Sequence, residues 1–194
     1  MDIITFVTTN QGKVIEAQKQ CDSAGIKLVT YNYELIEPRS EDLEEIAKAK
    51  VMQAYEKVGH PCIAMDSGFY IEALNGFPKT FVNFALSTIG INGILKLMEG
   101  VSDRRAYFKQ CLAYYDGKEI KYFYSQHEGE IATEISGDDR IQKWSDLWYI
   151  FISNGYDKTL AALSDEEQKK RESKSEGTLA QFAKWYKEKI VKSE

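Results

Sequence analysis

The stretch that decides the fold is IITFVTTNQGK, residues 3–13. Its first half, residues 3–7, is a run of β-branched and aromatic residues, which is typical of a short buried strand. Its second half is a polar turn, and the apolar residues beyond it recur at helical spacing up to Gly25. Thr9 or Asn10 can cap that helix. The stretch therefore predicts a strand, a loop and a helix, the opening of an α/β domain.

The rest of the chain alternates strand-like and helix-like segments, with no internal repeat and no linker, which favours one domain over residues 1–194. Asp66-Ser67-Gly68 is expected to be a turn between two strands, and Phe84, Ile94 and Leu95 are expected to face inward from a helix. The expected strands are residues 27–33, 61–65, 69–73, 105–115, 119–131 and 144–152, and the expected helices are residues 43–58, 83–99 and 178–191, with a hairpin turn at Asp116-Gly117.

Composition excludes several classes of protein. A chain of 194 residues with 43% hydrophobic residues can bury a core without disulfides. No apolar run approaches the roughly 18 residues that cross a bilayer, and the N-terminal residues carry no basic leader, so we expect a cytoplasmic protein with no membrane partner. Its 25 Lys and Arg against 30 Asp and Glu give a net charge of −5, which does not suggest a face for DNA or RNA.

Cysteine and histidine are too sparse for several kinds of catalytic site. The three cysteines, Cys21, Cys62 and Cys111, show no CxxC pairing and are expected to be buried free thiols. The chain has two histidines, and neither lies in a recognisable nucleophile motif. If the protein is an enzyme, carboxylates, lysines and a hard metal ion must carry the chemistry.

Residues 8–13 are the first candidate for a functional site. They follow a strand and open a helix, where backbone N–H groups and the helix dipole favour an anion, and Lys13 adds positive charge. The loop is not a Walker A motif, because Val7 and Val14 stand where that motif has glycine and serine or threonine. Taken alone, the loop is either a phosphate site or an ordinary capped turn with a solvated lysine.

Lys50 and Asp66 are the second candidate. Lys50 projects from the apolar face of the helix expected at residues 43–58, where a cation needs a carboxylate, a ligand phosphate or a path to water. Asp66 is expected to end a strand, either facing a cleft or forming an Asx turn. The acidic residues 34–45 are typical of a solvated helix start, and one of them could join Asp66 in holding Mg²⁺.

Together these motifs resemble the HAM1 family, also called the inosine triphosphate pyrophosphatases. The specific matches are a T-x-N-x-x-K loop, an acidic residue ahead of an E-E-x-A-x-x-K helix, a D-S-G segment and a G-x-P segment. The matching residues are Thr8, Asn10, Lys13, Glu37, Glu44, Glu45, Ala47, Lys50, Asp66, Ser67, Gly68, Gly76 and Pro78. Weaker matches continue to residue 161, so the resemblance covers nearly the whole chain.

The resemblance implies an α/β fold in which an elongated central mixed β-sheet is flanked by helices in two lobes, with the nucleotide in the cleft between them. It implies a homodimer that uses Mg²⁺, or Mn²⁺, to cleave non-standard purine nucleoside triphosphates between the α and β phosphates, giving monophosphate and pyrophosphate. Such chemistry depends on positioning and charge neutralisation and needs no histidine.

The resemblance also implies roles for individual residues. Glu37 and Asp66 would bind the metal, Asp66 would also orient or deprotonate the attacking water, and Lys50 would reach the phosphates from its helix. The residues assigned to substrate binding are Thr8, Asn10, Lys13, Ser67, Gly68, Trp148, Lys169, Ser173 and Lys174.

Departures from the family pattern cluster in the part that reads the base. The usual Pro-Gly is Pro78-Lys79, and the family triplet S-H-R is Ser173-Lys174-Ser175. Serine cannot supply the bidentate fork of an arginine, so an altered base preference is expected. The alternatives are a protein that binds nucleotides on the same scaffold without catalysis, and a pyrophosphatase similar to the septum-inhibition Maf family.

Overall fold

A computed structural model describes residues 3–139, 143–174 and 176–191. Within these ranges the chain forms seven strands, six α-helices and three short 3-10 turns. The strands are β1 Ile4–Val7, β2 Leu28–Tyr31, β3 Cys62–Ile71, β4 Pro78–Lys79, β5 Arg105–Tyr115, β6 Ile120–Ile131 and β7 Phe151–Ser153. The helices are α1 Gln11–Ala24, α2 Leu43–Val58, α3 Val82–Thr88, α4 Gly90–Leu97, α5 Asp165–Lys174 and α6 Thr178–Val191.

The strands form a mixed sheet in the order β2-β1-β3-β5-β6-β7, with β4 paired to β3. β1 runs parallel to both β2 and β3, whereas the pairs β3 with β4 and β6 with β7 are antiparallel. The predicted α/β class with a central mixed sheet is therefore confirmed. None of the helices in the described ranges is long and apolar enough to cross a membrane.

The chain divides into two compact units. Unit 1 consists of the described residues within Met1–Asp66, Gln110–Ser125 and Glu176–Glu194. Part of its core joins the apolar face of α2 to residues of β1, β3 and β5. Another part is aromatic, because Tyr114 and Phe123 pack against three rings of α6 at centroid separations of 5.1 to 6.0 Å. The predicted helix at residues 178–191 is thus confirmed, and it completes the core of unit 1.

Unit 2 consists of the described residues within Ser67–Lys109 and Gln126–Ser175. Its core combines residues of β3, α4 and β6 with the 3-10 turn Asp146–Tyr149 and the segment that follows it. Arg104 fixes this unit locally, since its guanidinium donates to the backbone carbonyls of Met98, Ile131 and Ala132 at 2.6 to 3.0 Å. One half-buried side chain therefore links three backbone carbonyls of this unit.

The helix α2, which presents Lys50, begins and ends where the sequence predicts. Asp42 caps its N-terminus by accepting from Glu44 N at 2.8 Å, and Gly59 ends it at φ 68°. Two glutamates in the first turn complement the positive end of the helix dipole. Local signals at both ends and the apolar face therefore agree on the same 16 residues.

The prediction of a turn at Asp66-Ser67-Gly68 is wrong. β3 continues from Cys62 to Ile71, so these three residues lie inside one strand. A Cβ at Gly68 would lie 2.8 Å from Tyr70 Cε2 and 3.0 Å from the Lys79 carbonyl oxygen. The close approach of these two neighbours favours glycine at this position. A glycine that is needed for packing cannot be told from a glycine that forms a turn by sequence alone.

Two further elements differ from the predictions. The helix expected at residues 83–99 is divided into α3 and α4 at Gly90, whose φ is 64°. Phe84 is 66% exposed, so its predicted inward position is wrong, whereas Ile94 is buried and Leu95 packs against the unit 2 core. The strand expected at residues 144–152 contains the 3-10 turn Asp146–Tyr149 at its centre, and the paired strand there is limited to Phe151–Ser153.

Candidate active site

The loop between β1 and α1 is fixed by its own side chains. Asn10 is the N-cap of α1, and its Oδ1 accepts a hydrogen bond from Lys13 N at 3.0 Å. The Thr8 hydroxyl oxygen accepts from Asn10 N at 3.1 Å. These contacts settle the choice between Thr9 and Asn10 as cap, and they hold the loop in one conformation before the helix begins.

The first turn of α1 differs from the first turns of two other helices. Asp or Glu residues occupy that turn in α2 and α5, whereas α1, like α3, α4 and α6, has none, and α1 carries Lys13 there. Acidic side chains normally neutralise the positive end of a helix dipole. Their replacement by a lysine leaves the N-terminus of α1 suited to an anionic group such as a phosphate.

Lys50 lies between two carboxylates. Its ammonium donates to Glu37 Oε1 at 2.7 Å and to Asp66 Oδ1 at 3.0 Å. Asp66 is buried, while Glu37 is exposed and reaches the ammonium from the segment before α2. Burial on its own lowers the pKa of Lys50, but the negative charges of Asp66 and Glu37 outweigh it and raise that pKa. The sequence left three possible partners for Lys50, namely a carboxylate, a ligand phosphate or water, and in the structure its partners are two carboxylates.

Lys13 belongs to the same electrostatic cluster. Burial and then the positive charge of Lys50 lower the pKa of Lys13 to about 8, even though Asp66 and Glu37 act in the opposite direction. Two lysines and two carboxylates are therefore gathered within unit 1. The sequence analysis did not predict that the two lysines repel each other. It could have done so, because both were assigned to the phosphates of one nucleotide and must therefore lie close together.

The chemistry of Glu37 and Asp66 fits a hard divalent cation. Both side chains contact the same ammonium, so their oxygens are no farther apart than the sum of those two distances. No group of three or more metal-ligating side chains occurs in the described ranges. Mg²⁺ is commonly held by one or two carboxylates together with substrate phosphates and water, so a pair of carboxylates is a sufficient protein contribution.

Ser67 and Gly68 follow Asp66 in β3 and belong to unit 2. The Ser67 hydroxyl is buried and has no hydrogen-bond partner among the described residues. A buried hydroxyl without a partner is costly, and a ligand oxygen would satisfy it. This observation agrees with the assignment of Ser67 to substrate binding, and the assignment of Gly68 stays a prediction.

The remaining predicted site residues lie in unit 2, and their roles stay predictions. Trp148 packs in the core with 8% of its surface exposed, so the ring presents little area on which a base could stack. Lys169 is exposed on α5, and the Ser173 hydroxyl donates to the Lys170 carbonyl of the same helix at 2.9 Å. Lys174 is the last residue of α5, and Ser175 lies outside the described residues.

Lys79 occupies a position that favours glycine. Its φ is 58°, in the left-handed region that side chains with a Cβ rarely adopt. The family pattern has glycine at this position. The chain has lysine instead, but its backbone keeps the positive φ that glycine adopts easily.

The fold and the cluster together define an α/β protein that presents lysines and carboxylates beside a helix N-terminus. A sequence model of the Ham1 family matches residues 4–185. The chain is 37% identical over 187 residues to a dITP/XTP pyrophosphatase of Thermococcus kodakarensis, covering 96% of this chain and 98% of that protein. It is 39% identical over 186 residues to the dITP/XTP pyrophosphatase of Saccharolobus solfataricus, covering 94% and 92%.

A solved structure agrees with these sequence matches. The fold is similar to that of a HAM1 protein from Coxiella burnetii, with a TM-score of 0.82 and 26% identity, covering 97% of this chain and 100% of that one. The chain therefore belongs to the Ham1 family, as the motifs of its first 80 residues indicate.

Proposed function

We propose that this protein is a nucleoside triphosphate pyrophosphatase that hydrolyses non-standard purine nucleotides such as dITP and XTP. It cleaves the bond between the α and β phosphates and releases monophosphate and pyrophosphate. The names of the curated relatives support the substrate class. The observation that carries the proposal is the position of Lys50 between Glu37 and Asp66, in the same cluster as Lys13.

The phosphates bind to the start of α1 and to the two lysines. Thr8 and Asn10 hold the loop, the dipole of α1 favours the anion, and Lys13 supplies charge at the first turn. Lys50 approaches from α2. Its positive charge neutralises part of the negative charge that develops on the phosphate oxygens during the reaction. Both lysines act as positioned charges and neither needs to transfer a proton.

Glu37 and Asp66 hold a divalent cation, Mg²⁺ or Mn²⁺. When bound, such an ion supplies Lewis-acid polarisation of the phosphate oxygens. Asp66 has a second role, in which its carboxylate orients the attacking water and accepts a proton from it. The burial of Asp66 suits this role, because a fixed carboxylate positions a water more tightly than an exposed one.

Substrate binding also involves Ser67, Gly68, Trp148, Lys169, Ser173 and Lys174, and the base preference is altered relative to the family. The S-H-R triplet is replaced by residues without an arginine or a histidine, so the discrimination among purine bases is weaker or rests on other groups. We further propose that the protein is a cytoplasmic homodimer, for which sedimentation of the purified protein at several concentrations is the test.

A substrate panel with identification of products tests the proposal. The purified protein is incubated with Mg²⁺ and each of the common NTPs and dNTPs, ITP, dITP and XTP. At least one should yield monophosphate and pyrophosphate. Tight binding of triphosphates without turnover would instead favour a protein that binds nucleotides without catalysis, and release of orthophosphate would indicate a different bond.

The variant Asp66→Asn tests the assignment of the site. Asparagine keeps the shape and an acceptor for Lys50 but removes the charge, so kcat should fall at least about a hundredfold. Asp157→Asn is the matched control, because Asp157 is exposed in unit 2. An unchanged rate for Asp66→Asn would refute the assigned role.

A further inference from the structure

Lys50 lies between the two carboxylates that the proposed function assigns to the metal ion. Its ammonium contacts Glu37 Oε1 and Asp66 Oδ1, and its side chain is only 13% exposed. An ammonium donates hydrogen bonds to the oxygen lone pairs by which a carboxylate coordinates a metal. The ammonium therefore competes with a metal ion for lone pairs of Glu37 Oε1 and Asp66 Oδ1.

Charge adds to this competition. The cluster already contains two positive and two negative side chains, so it is neutral without a ligand. A divalent cation placed beside the carboxylates would face Lys50 at contact distance and the nearby Lys13, and like charges in a partly buried setting repel strongly. A metal–triphosphate complex differs, because its phosphate oxygens provide new partners for both lysines.

We propose that Lys50 is an internal substitute for the metal, which holds Glu37 and Asp66 in place until a metal–nucleotide complex arrives. On binding, Lys50 exchanges its carboxylate partners for phosphate oxygens, and the carboxylates are released to the metal. The protein therefore binds free divalent cations weakly and takes up the metal together with the nucleotide. This inference rests on the proposed function, since it takes Glu37 and Asp66 as the metal-binding pair.

A purely structural ion pair would behave differently. If Lys50 only stabilised the fold, replacing it would lower the melting temperature and leave the affinity for free metal unchanged. If Lys50 competes with the metal, the same replacement should raise that affinity. Metal affinity in the absence of nucleotide therefore separates the two roles, and it does not require turnover.

The experiment is a calorimetric titration of Mg²⁺ and of Mn²⁺ into the nucleotide-free protein. Lys50→Met should bind Mn²⁺ at least about tenfold more tightly than the parent, because it removes the competing charge but retains an unbranched side chain. Lys48→Met is the matched control, since Lys48 lies on the same helix but is exposed. Equal affinities in the parent and Lys50→Met would overturn the proposal.

Thermal unfolding provides a second readout. In a chelating buffer Lys50→Met should melt below the parent, because two carboxylates are left without their cation. Addition of Mn²⁺ should raise the melting temperature of Lys50→Met by more than it raises that of the parent. An equal rise in both proteins would contradict the exchange of cations.

A measurement on the parent protein covers the case in which Lys50→Met does not fold. The ¹⁵N resonance of the Lys50 ammonium, assigned by its loss in Lys50→Gln or in the conservative Lys50→Arg, should shift when Mg²⁺ and a slowly hydrolysed triphosphate analogue are added together. An unchanged resonance at saturation would overturn the proposal.

A separate result would refute the assignment of the metal-binding pair. If Glu37→Gln and Asp66→Asn leave metal binding intact, Glu37 and Asp66 do not hold the metal, and this outcome is distinct from failure of the exchange alone.

Discussion

The lowered pKa of Lys13 makes a quantitative prediction about stability. Between pH 8 and pH 10.5 the unfolded chain holds a proton on this side chain that the folded protein has released. Through this group, folding becomes more favourable as the pH rises across that window, and below pH 8 the full penalty of burying a charged lysine is present. Removing the charge with Lys13→Met should therefore stabilise the protein at neutral pH and have little effect at high pH.

The size of the effect follows from the difference between the two pKa values. A shift from 10.5 to about 8 corresponds to about 3 kcal/mol at pH 7, about 2 kcal/mol at pH 9 and under about 1 kcal/mol at pH 10. The packing of the new methionine adds a contribution that does not change with pH. The gain in stability from Lys13→Met should therefore be about 2 to 3 kcal/mol larger at pH 7 than at pH 10.

Urea unfolding of both proteins at several pH values, in a chelating buffer without nucleotide, measures this difference. Groups that do not interact with Lys13 are common to both proteins and cancel in the comparison, whereas Lys50, whose charge acts on Lys13, is part of the measured difference. Lys48→Met, which removes an exposed lysine, should show the same difference from the parent at pH 7 and pH 10. A pH-independent effect of Lys13→Met, to within about 0.5 kcal/mol, would refute the reasoning.

Three further predictions concern other parts of the fold. Lys79→Gly should raise the free energy of unfolding by about 0.5 to 1 kcal/mol, because glycine adopts the positive φ at lower cost, whereas Lys79→Ala, which keeps a Cβ, should bring no gain in urea unfolding. Arg104→Leu should lower it by about 2 to 4 kcal/mol by removing a charged donor that three carbonyls share, with a much smaller loss for the exposed Arg105→Leu. The three buried cysteines, whose pKa values burial raises to about 12, should react with a thiol reagent at pH 8 only after denaturant is added, and rapid reaction of the native protein would contradict this.

The elements that sequence predicts best are those whose local signals agree. α2 has a capping aspartate, a terminating glycine and an apolar face, and its observed bounds match the prediction. β5 and β6 flank Asp116, whose Oδ1 accepts from Lys118 N and Glu119 N, as expected for a tight hairpin turn. In each case neighbouring residues contain the information that fixes the structure.

The errors arise where distant contacts decide the outcome. Gly68 is glycine because Tyr70 and the Lys79 carbonyl approach it, and no local pattern reveals that approach. Residues 144–152 are rich in apolar side chains, but these reach the core from a 3-10 turn, and periodicity over so short a run cannot tell a turn from a strand.

For the candidate site, the sequence named residues whose roles stay predictions, and it left their arrangement open. Lys50 was expected to need a carboxylate, a phosphate or water, and the folded structure shows that its ammonium contacts two carboxylates. The lowered pKa of Lys13 likewise depends on burial and on a neighbouring charge 37 positions away along the chain, neither of which a motif records. The kinds of side chain in the candidate site can be predicted from the chemistry of phosphates and metal ions, whereas the contacts between these side chains depend on the fold.

The division of unit 1 into three chain segments has a consequence for biosynthesis. Its first segment emerges from the ribosome early, yet the rings of α6 that complete its aromatic core belong to residues 178–191. Unit 2 is made almost entirely of residues synthesised between those two events. The nascent chain must therefore leave Tyr114, Phe123 and the side of α1 that contacts α6 without this partner until residues 178–191 are made. Chaperone dependence during translation should accordingly concentrate on α1 and on residues 110–125, the parts of unit 1 that contact α6.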